Sequence, residues 1–216
     1  MSTGDGSVVP PGTGGLSRQV RERMRRLVPP GRAICVGYSG GLDSAVLLDI
    51  LSDDDFMRER PVSALHVHHG LSPHADSWVK ACERFCANHG VPLAVEHVHV
   101  DRASPLGLEA AARVARYAVF AGRKEPYVAL AHHLDDQAET VLLQLLRGTG
   151  LKGIAAMPEA RELRGTGVTL IRPLLEHSRE DARAHSDPPG LACLRHRSHA
   201  GLDIGRAHVS TQVPRR

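Results

Sequence analysis

The 216-residue sequence is poor in aromatic residues, in lysine and in long apolar runs. It contains one Trp, three Tyr and three Phe, and only three of its 27 basic residues are lysine. No apolar run approaches the roughly 18–20 residues that a membrane-spanning helix needs, and residues 1–16 lack the basic and apolar segments of a secretory signal. We therefore predict a cytoplasmic protein with no membrane contact.

Cysteine is also scarce, with four residues scattered along the chain at Cys35, Cys82, Cys86 and Cys193. This number is too small for a disulfide framework in a chain of this length, so reduced thiols are expected. Cys82, Cys86 and His89 have the spacing of zinc ligands on a helix, but a fourth ligand is missing. Buried thiols on an apolar helix face are the preferred interpretation.

The remaining composition, 42% apolar and 24% charged, is typical of a folded domain. The arginine-rich excess of positive charge, formally +3, makes nucleic acid a candidate partner without identifying it. Residues 1–16 are rich in Gly, Pro, Ser and Thr and are predicted to form a disordered tail. Residues 17–184 are predicted to form one folded domain, and residues 185–216 an irregular segment without a packed core.

Short apolar strands alternate with amphipathic helices through the predicted domain, after a first helix that starts at Ser17. Strands are predicted at 32–38, 62–67, 93–100 and 127–131, and each is followed by a helix, at 43–51, 75–88, 108–123 and 135–146. A further strand is predicted at 168–171, with a helix starting near Ser178. This alternation predicts an α/β fold with an open, doubly wound parallel sheet and helices on both faces.

A glycine-rich loop joins the first strand to its helix and consists of Ser39, Gly40, Gly41, Leu42, Asp43 and Ser44. The glycines let backbone N–H groups approach an anion, the helix N-terminus adds partial positive charge, and Ser44 adds a donor. The loop is therefore predicted to bind phosphate. It lacks the Gly-Lys-Ser/Thr ending of a Walker loop, which disfavours γ-phosphate transfer. Asp43 beside bound phosphates would be a natural Mg²⁺ ligand, and a plain turn with an Asp/Ser helix cap is the alternative.

Two other polar motifs leave alternatives open. The segment 66–69 contains three histidines after the second strand, but it has no nearby Cys or carboxylate to complete a metal site. Hydrogen bonding to a nucleotide is therefore the preferred role for these imidazoles. On the helix at 108–123, Glu109, Arg113 and Arg116 share one side, and the spacing fits a solvated Glu–Arg pair as well as an arginine directed at phosphate.

An acidic motif follows the fourth strand, where His132 and His133 precede Asp135 and Asp136. Asp136 and Glu139 are three residues apart in the first turns of a helix, so both carboxylates can point into one cleft. Such a pair would bind a cationic amine or Mg²⁺. The alternative is that these acids only complement the helix dipole.

Five segments, in this order and spacing, resemble the N-terminal catalytic domain of the tRNA(Ile)-lysidine synthases, a family of the PP-loop ATP pyrophosphatase superfamily. They are SGGLDS, HVHHGLSPHADSW, GLEAAARVARY, AHHLDDQAETVLLQLLRGTGLKGIAAMP and IRPLLEHSRED. The resemblance covers about residues 17–183. SGGLDS alone indicates only the superfamily, whereas the long segment around His-His-Leu-Asp-Asp narrows it to this family. It implies an adenine nucleotide alpha hydrolase-like fold.

The resemblance also implies an activity. ATP would adenylate the C2 oxygen of the wobble cytidine in the CAU anticodon of an isoleucine tRNA, and the ε-amino group of free L-lysine would then displace AMP. The glycine-rich loop would hold the phosphates and Asp43 the Mg²⁺, while Asp136 and Glu139 would receive lysine in a pocket lined by His133. Arg113 would face phosphate or tRNA, and residues 147–153 would lie near the tRNA backbone.

The C-terminal part departs from the family pattern. Members usually carry an acidic Asp-Pro-Ser-Asn segment, of which only Ser198 remains within residues 195–199, and they continue into tRNA-recognition domains. A truncated copy, a degenerating copy or a sequence error near the 3′ end would each produce this pattern. One alternative is a residual nucleotide-binding module that holds ATP without modifying tRNA. A tRNA thiolase is disfavoured because the chain has no Cys-x-x-Cys motif. Oligomeric state is not predicted.

Overall fold

The computed structural model describes residues 13–105, 107–146 and 156–186. Within these ranges the chain forms six strands and seven helices. The strands are β1 (Ile34–Gly37), β2 (Val62–His68), β3 (Leu93–His97), β4 (Tyr127–Ala129), β5 (Ala160–Leu163) and β6 (Val168–Ile171). The helices are α1 (Thr13–Leu27), α2 (Leu42–Leu51), α3 (Asp54–Glu59), α4 (Ala75–Asn88), α5 (Leu108–Ala121), α6 (Leu134–Leu146) and α7 (Arg179–His185). No helix in these ranges is both long and apolar enough to cross a membrane.

The six strands form one sheet in the order β3-β2-β1-β4-β6-β5. β1 pairs in parallel with β2 on one side and with β4 on the other. The chain therefore builds the sheet outward in one direction from β1 and then starts again beside it with β4. In open α/β sheets the crevice at such a reversal, beyond the carboxyl ends of the strands, is the usual ligand site.

Helices cover both faces of the sheet, which confirms the doubly wound arrangement. On one face, α1, α4 and α7 pack around α2, and eight of the ten residues of α2 are buried. On the other face, Phe120 of α5 packs against Val128, Leu130 and Leu170. The apolar spacing along α1, α4 and α5 lets each of these helices bury one side, whereas α2 is apolar on most sides and is almost wholly buried.

The structure corrects the prediction at the edge of the sheet. β5 is antiparallel to β6, so the sheet is mixed rather than wholly parallel. Its residues are mostly exposed and include Arg161 and Glu162, so it lacks the apolar pattern by which the other strands are found. Backbone pairing with β6 maintains it, through a turn in which Gly165 and Gly167 adopt positive φ.

Two predicted boundaries and one short helix also differ. α1 starts at Thr13, four residues before the predicted start, because Leu16 is buried one turn ahead of Val20 and extends its apolar stripe. The predicted tail is therefore wrong for residues 13–16. α7 continues to His185, and residues 187–216 lie outside the described ranges. α3 was not predicted, since its only buried residue is Phe56.

The cysteines agree with their predicted role. Cys35, Cys82 and Cys86 are free and buried in the described part of the chain, and Cys193 lies outside it. Burial raises the pKa of the Cys82 thiol to about 12 and that of Cys86 to about 11. These thiols therefore stay protonated at neutral pH and act as small apolar groups in the core.

Helix α6 is packed unlike the others, because none of its residues is buried. Leu142, Leu145 and Leu146 are exposed along it. Its N-terminal half is attached by hydrogen bonds instead. The Leu134 N–H donates to the His177 carbonyl over 2.8 Å, and the Gln137 amide exchanges two hydrogen bonds with the Met157 backbone.

A carboxylate between two imidazoles links three of the helices that cover one face. The Oδ1 atom of Asp49 in α2 lies 3.1 Å from Nε2 of His89, and its Oδ2 atom lies 2.8 Å from Nε2 of His185 in α7. His89 follows the end of α4. Partial burial opposes ionisation of Asp49, but the hydrogen bonds from the two histidines outweigh it and lower the pKa of Asp49 well below its usual value. The hydrogen bond with Asp49 likewise raises the pKa of His89.

This cluster predicts a pH dependence of stability. A histidine whose pKa is raised by folding stabilises the fold fully below its unfolded pKa of about 6.5, and that contribution is lost as the pH rises through the folded pKa. Asp49→Asn removes the partner of His89. The free energy of unfolding should therefore differ between wild type and Asp49→Asn by more at about pH 6 than at about pH 9. Urea denaturation at the two pH values measures this, and a difference independent of pH would contradict it.

Candidate active site

The glycine-rich loop lies at the carboxyl end of β1 and leads directly into α2. Gly40 has a φ of +83°, and a Cβ atom at this position would lie 3.0 Å from Sγ of Cys82. Gly41 is the N-cap of α2, and no side chain forms a cap hydrogen bond there. The first N–H groups of α2 are therefore left for an external acceptor, which makes the loop a site for an anion such as phosphate.

The two serine hydroxyls close the loop without capping the helix. Oγ of Ser39 lies 3.0 Å from Oγ of Ser44 and accepts the Gly41 N–H over 3.3 Å. The Ser44 hydroxyl donates to the Gly41 carbonyl over 2.9 Å. Both hydroxyls are thus held beside the free end of α2, where each can turn toward a bound oxygen. A plain Asp/Ser cap, the alternative interpretation of the sequence, is not what the structure contains.

A substitution at Gly40 tests whether this backbone conformation is needed for binding. We expect Gly40→Ala to lower the free energy of unfolding by about 1–2 kcal/mol, because a side chain with positive φ is strained, and to abolish measurable ATP binding. Gly165→Ala is the matched control, since Gly165 has a φ of +75° in the turn before β6 with open space around it. It should lose similar stability and keep ATP binding, as measured by calorimetry. Equal ATP affinity in the two variants would contradict the role of the loop.

A cluster of charged groups adjoins the loop, with His133 at its centre. Nε2 of His133 lies 3.7 Å from Oδ2 of Asp43, and its Nδ1 lies 3.4 Å from Oδ2 of Asp135 and 3.6 Å from Oδ2 of Asp136. Burial alone would lower the pKa of His133, but the Asp43 and Asp136 carboxylates outweigh burial and raise it. The structure therefore brings together the motifs after β1 and β4, as expected for neighbouring parallel strands.

The carboxylates differ in their surroundings. Oδ1 of Asp43 is buried and has no hydrogen-bond partner in the described structure. Oδ2 of Asp136 accepts the His133 N–H over 2.9 Å, so this acid also caps α6 in the way that the dipole interpretation predicted. Glu139 lies half-buried one turn further along α6. Asp43 thus has a buried oxygen that is free to bind a cation.

Arg179 belongs to the same cluster and was not predicted. Its Nε atom lies 3.8 Å from Oδ2 of Asp43, and its backbone N–H donates to Oδ2 of Asp135 over 2.8 Å. Hydrogen bonding from Arg179 lowers the pKa of Asp135. The signal available in the sequence was its place directly after Ser178, the N-cap of the helix that follows β6.

A cavity of about 360 Å³ extends from the loop across the carboxyl ends of β1, β2 and β4. Its wall includes Ser39, Asp43, His66, His69, Trp78, Arg116, Tyr117 and His132. Nδ1 of His66 lies 2.9 Å from the Tyr38 carbonyl oxygen and therefore carries the proton, which leaves Nε2 as an acceptor. The volume and the mixture of apolar and polar groups suit a nucleotide-sized ligand.

Burial favours the neutral form of three histidines in this wall. Burial lowers the pKa of His66 and of His69. Burial, with the charges of Arg172, Arg113 and Arg116, lowers the pKa of His132 to about 3. Nδ1 of His69 and Nδ1 of His132 are buried without hydrogen-bond partners in the described ranges. Neutral imidazoles with free nitrogens can donate hydrogen bonds to a nucleotide base or accept them from it, which is the role predicted for the histidines of segment 66–69.

Other predicted residues lie apart from the loop. Arg113 is exposed on α5 and its guanidinium contacts Tyr117, whereas Arg116 lines the cavity. In the described part of the chain, no group of three or more His, Cys, Asp or Glu side chains is arranged to hold a metal ion. A Mg²⁺ site at Asp43 would instead draw most of its ligands from phosphate and water. Residues 147–153, which were predicted to lie near RNA, are not among the residues that the structure describes.

The sequence is similar to a known protein family and to several of its members. Residues 16–214 match the family model of the PP-loop domain. The chain is 52% identical over 158 residues to a tRNA(Ile)-lysidine synthase of Chromobacterium violaceum, which covers 73% of this chain and 36% of that protein. It is 47% identical over 197 residues to a tRNA(Ile)-lysidine synthase of Alkalilimnicola ehrlichii, which covers 90% and 42%. The chain thus spans about two fifths of the length of these relatives.

Solved structures show the same fold at low sequence identity. A U34-tRNA thiolase of Methanococcus maripaludis matches with a TM-score of 0.64 and 21% identity, over 85% of this chain and 64% of that one. A glutamine-dependent NAD⁺ synthetase of Acinetobacter baumannii matches with a TM-score of 0.54 and 18% identity, over 88% and 36%. These likenesses concern the fold alone, and they confirm the adenine nucleotide alpha hydrolase-like class.

Proposed function

Because this chain belongs to the PP-loop domain family and is similar to tRNA(Ile)-lysidine synthases over most of its length, we propose that it attaches L-lysine to the wobble cytidine of a CAU-anticodon isoleucine tRNA. ATP would activate the cytidine. One observation carries the proposal: an uncapped phosphate loop lies directly beside the His133 cluster of carboxylates, at the point where the sheet reverses. An activity on ATP and tRNA agrees with the cytoplasmic location expected from the sequence.

The loop suits the first step. The C2 oxygen of cytidine attacks the α-phosphorus of ATP, the bond to the β-phosphate breaks, and pyrophosphate leaves. The free N–H groups of α2 and the hydroxyls of Ser39 and Ser44 would hold the leaving pyrophosphate and neutralise part of its charge. The nucleoside would occupy the cavity, with Nε2 of His66 as a hydrogen-bond acceptor.

Asp43 has the properties of a Mg²⁺ ligand. It offers a hard oxygen donor, and its Oδ1 atom is buried with no partner among the described residues. When bound there, Mg²⁺ would neutralise charge on the phosphates. Arg179 and His133 flank the other oxygen of Asp43 and hold this carboxylate in position.

The acids of α6 suit the second step. The ε-ammonium group of lysine first gives up a proton to a carboxylate or to water; the neutral amine then attacks C2 of the adenylated cytidine, the C2–oxygen bond breaks, and AMP leaves. Asp136 and Glu139 would attract the cationic lysine and orient it toward C2, next to the loop that holds the nucleotide. Charge-assisted hydrogen bonds of this kind are stronger than neutral ones.

The experiment is release of AMP and pyrophosphate from ATP labelled at the α-phosphate, with the full 216-residue chain. Release that needs both lysine and an unmodified CAU-anticodon isoleucine tRNA, with lysidine found in the product RNA, is the expected result. ATP binding without turnover would contradict the proposal and favour the residual nucleotide-binding module. Release that needs tRNA but not lysine would indicate another transfer reaction.

A further inference from the structure

Several arginines surround Tyr117 of α5 at the rim of the cavity. The guanidinium carbon of Arg113 lies 4.9 Å from the centre of the Tyr117 ring, and that of Arg161 in β5 lies 5.7 Å from it. Nη2 of Arg113 also donates to the Tyr117 hydroxyl over 3.0 Å. Arg172, almost fully buried after β6, interacts electrostatically with Tyr117, and its Nη1 donates to the Pro158 carbonyl over 2.8 Å. Two elements distant in sequence thus place cations on one aromatic ring.

The arginines around Tyr117 differ from several other arginines of the described chain in having no ion-pair partner. Arginines elsewhere, such as Arg23 and Arg123, form ion pairs with carboxylates. Within the described ranges, no carboxylate forms an ion pair with Arg113, Arg116, Arg161 or Arg172. Burial lowers the pKa of Arg172, and the charges of Arg161 and Arg113 lower it further. Its Nε atom is buried and has no hydrogen-bond partner among the described residues.

We propose that Arg161, stacked on Tyr117 beside Arg113, binds a phosphodiester group of the RNA at the point where it enters the cavity. This inference rests on the proposed function and names the protein groups that would receive the RNA backbone. A guanidinium offers two parallel donors to a phosphate and keeps its stacking on an aromatic ring while it does so. Arg172, which is buried beside them, adds a third positive charge to this cluster.

The location favours an RNA phosphate over the phosphates of ATP. Tyr117, Arg116 and His132 line the cavity together with the phosphate loop, whereas Arg113 and Arg161 are exposed and stand outside its wall. A nucleotide held by the loop would have its triphosphate at Ser39 and Ser44, which line the cavity. A polyanion approaching from solvent would meet Arg113 and Arg161 first and would reduce the repulsion among the clustered cations.

The test measures RNA binding by the full chain at a series of salt concentrations, with the CAU-anticodon isoleucine tRNA and an unrelated tRNA. We expect Arg161→Ala to weaken binding of both RNAs by about tenfold, the loss of one charge-assisted hydrogen bond. The slope of log K against log salt should fall in magnitude by about 0.7–0.9, the value for one phosphate contact. Arg161→Lys should keep the slope and lose less affinity, and ATP affinity should be unchanged.

Arg164→Ala is the matched control, because Arg164 is exposed on the same β-hairpin and has the same charge but no contact with Tyr117. Equal losses in Arg161→Ala and Arg164→Ala, a loss of ATP affinity in place of RNA affinity, or no RNA binding by the wild type would overturn the inference. An Arg161-specific loss in a protein that releases no lysine-dependent AMP would support the subsite and refute the proposed function. Normal lysine-dependent AMP release with no effect of Arg161→Ala on RNA binding would support the proposed function and refute the Arg161 subsite.

Discussion

Replacement of Asp43 by asparagine is expected to lower the rate of lysine-dependent AMP release by at least about 10²-fold, the loss typical of removing one group that stabilises developing charge. Asparagine keeps the shape of the side chain and removes its charge. Its amide would leave His133 and Arg179 without their common anion and would be a poor ligand for Mg²⁺. Initial rates at several Mg²⁺ concentrations measure the effect, and the half-saturating concentration of Mg²⁺ should rise.

Asp49→Asn provides a matched control for this change. Asp49 lies on the same helix, its side chain contacts His89 and His185, and none of these three residues lines the cavity. The same substitution there should change stability with pH, as described above, and leave the rate of AMP release unchanged. If Asp43→Asn and Asp49→Asn both kept the wild-type rate of AMP release, Asp43 would have no role in the reaction.

The second large effect concerns lysine. Replacing Glu139 with glutamine should raise the KM for lysine by about 10- to 100-fold, because a hydrogen bond between two charged groups contributes about 1.5–3 kcal/mol. The KM for ATP should stay near its wild-type value. Asp136→Asn should show the same loss and also lower the melting temperature, since Asp136 accepts the His133 N–H at the start of α6.

Steady-state kinetics with lysine varied at saturating ATP and tRNA separate these effects. Glu162→Gln, a change of the same chemistry on the exposed strand β5, serves as the control and should leave both KM values unchanged. An equal rise in the KM for ATP and for lysine would show that Glu139 supports the whole cleft. An unchanged KM for lysine would remove Glu139 from the lysine site.

The parts of the structure that follow from local sequence were predictable. Parallel strands and their helices are found from apolar spacing, and the loop at Gly40 and Gly41 is found because strand, glycines and helix are contiguous. The meeting of this loop with His133 follows from one further rule, that parallel strands end at the same edge. The individual roles of Asp43, Asp136 and Glu139 stay predictions.

Other features depend on contacts that no short segment encodes. β5 carries Arg161 and Glu162 on an exposed edge, so only its pairing with β6 makes it a strand. Arg179 reaches Asp43 from a helix 136 residues later in the chain, because α7 packs on α2. The contact of Arg113 and Arg161 with Tyr117 also depends on the tertiary fold, because α5 and the β-hairpin meet only in the folded protein.

The lack of buried residues in α6 has a consequence for ligand affinity. A helix fixed by hydrogen bonds at its N-terminal half, with leucines in water along the rest, opens locally at a lower free energy than a helix such as α2 inside the core. In the proposed reaction, Asp136 and Glu139 would bind lysine only while α6 is formed. The apparent dissociation constant for lysine then equals the intrinsic constant divided by the fraction of molecules in which α6 is formed. Any contact that covers Leu142 and Leu145 would strengthen lysine binding without touching lysine.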